Sequence, residues 1–126
     1  LRGKVVIDIT NPFASQPNDG SSGAQVTATA IGEGARVVAA FKTNFASTIT
    51  EPEDSSGTPR EVHYAGDDEE AKAIVAELIR GIGFEPVDYG TLAQAIVLDH
   101  MVPLMIRLDS QLHASSRKSS FRLAGP

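Results

Sequence analysis

The chain has 126 residues, a formal net charge of -5, 41% hydrophobic and 21% charged residues, and no cysteine. That is the size of one domain with a real core and the usage of an ordinary globule, which argues against disorder, a fibrous chain or a second domain. An acidic balance with only Arg117, Lys118 and Arg122 near one another argues against nucleic acid. The missing thiols exclude disulfides and thiolate chemistry, and three separated histidines give no metal-ligand spacing.

The first residues carry no methionine and no secretory leader pattern, and they run within a few positions into a buried-type strand, as in a chain cut from something longer. No apolar run approaches the roughly 18 residues of a membrane span, so no membrane partner is expected and the cytoplasm is the default compartment. Residues 4–13 read Lys-Val-Val-Ile-Asp-Ile-Thr-Asn-Pro-Phe. The β-branched run Val5, Val6, Ile7 and Ile9 has the pattern of a strand covered by helices on both faces of a parallel sheet. Pro12 stops the ladder and biases Asn11 toward an extended conformation. Ligands of open parallel sheets bind beyond the carboxyl ends of the strands, which makes Thr10, Asn11, Pro12 and Phe13 the first place to look for function, an ordinary strand-to-loop turn being the alternative.

Residues 14–23 are a dense cluster of turn formers, and Ser21 or Ser22 is placed to cap a short helix over 24–31. Gly32 and Gly34 end it, and residues 35–41, centred on Val37 and Val38, read as a second buried strand. A helix between two such strands suggests a crossover. This strand also stops at a polar group, Lys42-Thr43-Asn44. Residues 48–60 are polar and read as a surface loop, followed by a short third strand over 61–65.

The spacing predicts a helix over 67–81. Asp67 and Glu70 fit a capping box, the four acids 67–70 sit where a helix dipole favours negative charge, and Ala71, Ile74, Val75, Leu78, Ile79 and Ile82 mark the packed face. Residues 84–89 are an edge strand, since Pro86 is poorly tolerated inside a sheet. Thr91 is placed to cap a last helical stretch over 92–113, kinked or divided by Pro103, with Ala93, Ile96, Val97, Val102, Leu104, Met105, Leu108 and Leu112 on its apolar side. From residue 114 onward the chain reads as a polar, frayed tail. The expected architecture is α/β: a partial Rossmann-like, mostly parallel sheet of about four strands with packing helices, over residues 1–113.

Four phrases then carry a resemblance. They are residues 3–12 (Gly-Lys-Val-Val-Ile-Asp-Ile-Thr-Asn-Pro), 35–41 (Ala-Arg-Val-Val-Ala-Ala-Phe), 65–68 (Ala-Gly-Asp-Asp) with the following helix, and 82–92 (Ile-Gly-Phe-Glu-Pro-Val-Asp-Tyr-Gly-Thr-Leu). In this order they resemble the later part of the NADP-dependent oxidoreductases that include the deazaflavin-dependent NADP reductases, a domain similar also to the reductase domain of the six-transmembrane ferric reductases. The resemblance implies an NADP-binding fold, C-terminal in its own domain, and hydride transfer between NADP(H) and a flavin-like or deazaflavin acceptor. It places Asn11 and Pro12 at the family turn near the nicotinamide, with Thr10 beside them, and Phe41 and Thr43 at the second turn; core packing is the competing reading of Phe41. It assigns no catalytic acid or base and no metal.

Two departures stand out. The Gly-x-Gly-x-x-Gly unit that seats a pyrophosphate on a helix N-terminus does not occur, and Gly32-Glu33-Gly34 precedes a strand instead of opening a helix. Lys42 stands where the family phrase carries an asparagine, with Asn44 as a candidate stand-in. His63, His100 and His113 have no family counterpart and read as solvated or packed. Two functional readings follow: a portion of an NADP-dependent oxidoreductase, inactive by itself and completed by a missing N-terminal half, or a non-catalytic interaction domain that forms a homodimer or pairs with a partner chain. A different small α/β enzyme would need a polar cleft that the pattern does not indicate.

Overall fold

A computed structural model describes residues 1–126, the side chain of Ala14 aside. Four strands lie side by side in sequence order: β1 (Val5–Asp8), β2 (Arg36–Ala39), β3 (Glu61–Gly66) and β4 (Glu85–Gly90). β1 pairs with β2 and β3 with β4 in parallel, while β2 and β3 run antiparallel over a short register of Val38 opposite Gly66 and Ala39 opposite Ala65. Each parallel pair is joined by a helix, α1 (Gly23–Ile31) and α2 (Glu69–Gly81), and α3 (Ala95–Leu112) follows β4. This is the α/β, mostly parallel architecture that the apolar runs and their crossover spacing predict, with Pro86 on an edge strand as expected.

The sheet is covered on both faces. On one, Ala71, Val75 and Ile79 of α2 pack on Val38, Val62 and Phe84. On the other, Ala24 of α1 and Ala95 of α3 meet Val37, Ala39, Ala65 and Leu92. A fully buried Val, Ile or Leu is worth about 1.5–3 kcal/mol, so this two-sided burial is what holds the sheet in place. Among the described residues no helix is long and apolar enough to cross a membrane.

The helix starts correct the sequence reading in detail. Ser22 forms the capping box of α1: its hydroxyl accepts from the Gln25 amide at 3.1 Å and the Gln25 side chain accepts from the Ser22 amide at 2.9 Å. Asp68, not Asp67, caps α2 by accepting from Ala71 at 2.8 Å, whereas Asp67 turns to the Leu92 amide at 3.0 Å. Thr91 sits in a turn closed on Gln94, and α3 begins only at Ala95. Pro103 lies inside one 18-residue helix and does not divide it.

The buried stripe of α3 is Ala95, Leu98, Asp99, Val102, Met105 and Asp109, so of the predicted face Val102 and Met105 are buried while Val97, Leu104, Leu108 and Leu112 are exposed. The two buried aspartates hid the true stripe. On α2, Ala71, Val75 and Ile79 are buried as predicted, but Ile74 and Leu78 are half exposed.

The tail is less free than its composition suggests. Asp109 accepts from Ser116 Oγ at 2.8 Å, Ser119 Oγ at 2.6 Å and the Arg117 amide at 2.9 Å, which folds the chain back after α3. Arg60, itself buried, donates to the carbonyls of Glu51, Glu53 and Lys118, pinning the 48–60 loop and the returning tail together.

Candidate functional site

The carboxyl ends of β1 and β2 are adjacent, and the two polar turns that follow them are tied together from beneath. Asp8 ends β1. Thr10 folds back on it, donating to Oδ1 from its amide at 2.8 Å and from its hydroxyl at 2.7 Å. Lys42, fully buried, reaches the same oxygen at 3.2 Å, donates to the Thr10 carbonyl and lies 3.7 Å from Asp99 Oδ1 on α3. Asp99 Oδ2 in turn accepts from the Gly23 amide at 2.8 Å. One buried cation thus joins the turn after β1, the turn after β2, the start of α1 and the middle of α3. Burial pushes the Asp8 carboxyl up, but hydrogen bonds from Thr10 and Thr27 and the charge of Lys42 outweigh it and hold it below the usual carboxylate value.

Of the residues singled out in the sequence, Asn11 and Phe41 come together. They line a groove of about 660 Å³ with Ile7, Ile9, Asn44, Phe45, Ile49, Leu78 and Ile82, mostly apolar and open to solvent. Phe41 is held at φ 59° and meets Phe84 edge-on, 5.9 Å between centroids, so it both packs on the core and walls the groove. Pro12 is half-buried against the start of α1, where a Cβ on Gly23 would come within 3.3 Å of its ring. Thr10 is exposed, but its hydroxyl is committed to Asp8. Thr43 is buried and does not line the groove.

The groove is walled mainly by apolar side chains, and Asn11, whose side-chain oxygen is buried with no partner, is one of its two polar lining residues. Seats for phosphate are another matter. The first amides of α1 are taken by Asp99 and Ser22, and α2 opens on Asp67, Asp68, Glu69 and Glu70, which repel anions. The starts of α1 and α2 therefore offer no seat for a pyrophosphate.

Sequence reasoning missed Asp8 and Asp99. A polar residue at helical spacing between Ala95 and Val102 was the available signal for Asp99. His63 sits 3.4 Å from Glu61, and burial lowers its pKa against the pull of that carboxylate. His113 meets Ser119, and His100 is exposed on α3. Among the described residues no cluster of metal-ligating side chains forms.

No protein-family model matches the chain. It is 35% identical over 97 residues to the metalloreductase STEAP3 of Rattus norvegicus, a match covering 75% of this chain and 19% of that protein. Its fold matches a crystal structure from Arthrobacter sp. FB24 assigned as an F420-dependent NADP reductase, with a TM-score of 0.87 and 28% identity over 99% of this chain and 60% of that one. The hypothetical protein SMa0349 of Sinorhizobium meliloti matches with a TM-score of 0.63 and 34% identity over 75% of this chain and 48% of that one. The chain thus spans about a fifth of the length of the metalloreductase and three fifths of that of the Arthrobacter protein.

Proposed function

We propose that this chain, which is related to the deazaflavin-dependent NADP reductase-like oxidoreductases, forms the nicotinamide side of an enzyme that transfers hydride between NADP(H) and a flavin-like or deazaflavin acceptor. The observation that carries the reading is the match over 99% of the chain to the Arthrobacter fold, combined with Asn11 and Phe41 meeting at one groove beyond two adjacent parallel strands. When bound, the dinucleotide supplies the hydride, so the protein needs no acid or base and contributes placement. Phe41 and Ile9 exclude water beside a planar ring, and Asn11 offers a polar contact at its edge. Thr10 and Pro12 shape the turn after β1, and the buried Thr43 fills the turn after β2.

The pyrophosphate seat has to come from outside these residues, and in this reading the chain is the C-terminal part of a larger NADP-binding domain. The test begins with the DNA upstream of Leu1, where an in-frame Gly-x-Gly-x-x-Gly within roughly a hundred residues is expected. The longer product then oxidises NADPH with a deazaflavin or flavin acceptor. A stop codon just before a start codon removes the missing half and with it this proposal. Calorimetric titration of the 126-residue chain with NADPH is expected to give weak or unmeasurable binding. A few hydrogen bonds, each worth about 0.5–1.5 kcal/mol net, stand against an association cost of at least about 4 kcal/mol.

A second reading rests on surface left uncovered. β1 pairs on one side only, and α3 exposes a stripe of Val97, Leu104, Leu108 and Leu112. An interaction domain that dimerises or pairs with another chain would cover both. Sedimentation separates the two readings, since a well-behaved monomer that binds no partner contradicts the second.

A further inference from the structure

The chain after α3 does not leave the domain. His113 closes the helix, and Ala114, Ser115 and Arg117 then take φ 51°, 58° and 58°, left-handed conformations at residues none of which is glycine. Such conformations are costly for residues with a Cβ and persist only where the surrounding contacts over-determine them. Asp109 supplies those contacts. Its buried carboxylate accepts from Ser116, Ser119 and the Arg117 amide, and its carbonyl accepts from the Ser115 amide at 3.2 Å.

From this lock residues 116–122 run as a strap along the segment 45–60. Ser47 donates to the Arg117 carbonyl, and the Arg117 guanidinium lies over the Phe45 ring, 5.5 Å from its centroid. Arg60 donates to the Lys118 carbonyl at 3.1 Å, Lys118 pairs with Glu51 at 3.0 Å, and Arg122 donates to the Pro59 carbonyl at 2.9 Å. The strapped segment is also a wall of the apolar groove, which Phe45, Ala46 and Ile49 line. That wall is a single 3-10 turn, Ala46–Thr48, closed by the Thr48 amide on the Phe45 carbonyl at 2.9 Å and the Ile49 amide on the Ala46 carbonyl at 3.2 Å. One such turn has little stability of its own, so what packs along it decides where it sits. We propose that the strap is a latch: locked at Asp109, it fixes the 45–49 wall and with it the width of the groove, and Arg117 is the residue that positions Phe45. With the lock undone, strap and wall loosen together. The latch goes beyond the function proposed above and holds whatever the groove takes up.

The test uses the full 126-residue chain and two readouts. Tryptic cleavage of the bond between Lys118 and Ser119 reports the strap, and amide hydrogen exchange of Thr48 and Ile49, followed by NMR, reports the wall. The β2 amides are the reference for opening of the whole sheet. Asp109 lines neither the wall nor the groove, yet Asp109→Asn should speed the cleavage roughly tenfold, for the loss of charge-assisted hydrogen bonds, and speed exchange at Thr48 and Ile49 several-fold more than in β2. Arg117→Ala leaves the Asp109 carboxylate and the backbone amide it holds in place. It should speed exchange at Thr48 and Ile49 roughly two- to fivefold, the worth of a cation over an exposed ring, and Arg117→Lys should recover most of that. Faster cleavage in Asp109→Asn with unchanged exchange at Thr48 and Ile49 means that the strap lies on the wall without setting it, and overturns the proposal. An unchanged cleavage rate in that variant overturns it as well. If Asp109→Asn does not fold, the Arg117 variants decide: exchange at the wall that is the same in Arg117→Ala as in the parent chain overturns the latch.

Discussion

Replacing Lys42 by methionine removes the one cation from a site where it and its two carboxylate partners are at most 1% exposed. Methionine fills most of the volume, so the perturbation is electrostatic more than steric. Asp8 and Asp99 are left without their counter-charge, and the Thr10 carbonyl loses its donor. Breaking a buried pair from one side costs about 3–5 kcal/mol, and orphaning a carbonyl about 1–3 kcal/mol; these overlap, because the same ammonium serves all three oxygens. The expected loss is about 4 kcal/mol, a large share of the roughly 5–15 kcal/mol that holds a domain together. Urea unfolding at neutral pH, followed by circular dichroism, measures it. Two further results separate charge from packing. The deficit should shrink as the pH is lowered toward about 5, because a buried carboxylate without its cation takes up a proton more readily. The triple variant Asp8→Asn, Lys42→Met, Asp99→Asn should recover most of the loss. A deficit below about 1 kcal/mol that does not change with pH would show that water, not Lys42, satisfies these carboxylates, and the reasoning would fail.

Ser22→Ala removes a hydroxyl that caps α1 and also donates to the Leu92 carbonyl at 2.9 Å, so a loss of about 1–2 kcal/mol is expected in the same unfolding assay. Asp109 is held at a pKa of about 2, below its ordinary 3.8: burial raises it, but the hydrogen bonds from Ser119, Arg117 and Ser116 win. Its contribution is therefore fully present above 3.8 and fades as the pH falls toward about 2, and Asp109→Asn should flatten that part of the acid-unfolding curve. The same variant should free the returning tail, speeding tryptic cleavage after Arg117 and Lys118 at neutral pH. Gly90→Ala places a Cβ at φ 126° and 2.1 Å from the Gln94 side-chain oxygen that closes the turn before α3, which should cost about 1–3 kcal/mol and displace Gln94.

The sheet was legible because its signal is redundant. Four short apolar runs, two crossover helices and a proline on the last strand each point to the same arrangement, and no tertiary contact is needed to see them. The antiparallel pairing of β2 with β3 carried no such signal, since the long connection over 40–60 permits either direction. Helix phasing was readable where the buried stripe is apolar, as on the Ala71, Val75, Ile79 side of α2. On α3 it held only for Val102 and Met105, because Asp99 and Asp109 sit in the buried stripe and an equally periodic apolar stripe, Val97, Leu104, Leu108 and Leu112, faces outward. Hydropathy ranks those faces in the wrong order because the buried aspartates are stabilised by partners more than thirty residues away or by the tail that follows.

Lys42 marks where reading the site from sequence stops. A lysine in place of an amide looks like a lost ligand contact only if its side chain follows the alternation of the strand before it. β2 ends at Ala39, and Phe41 then takes φ 59°, a left-handed conformation that breaks the alternation. Lys42 turns inward to Asp8 and Asp99, while Phe41 remains at the groove. Asn44, which the spacing offered as the replacement amide, donates to the Glu61 carbonyl at 3.0 Å and still lines the groove. Lys42 thus places its charge beneath the groove, whose wall carries Asn11, Phe41 and Asn44. That distinction depends on one backbone angle, and residue type alone does not fix it.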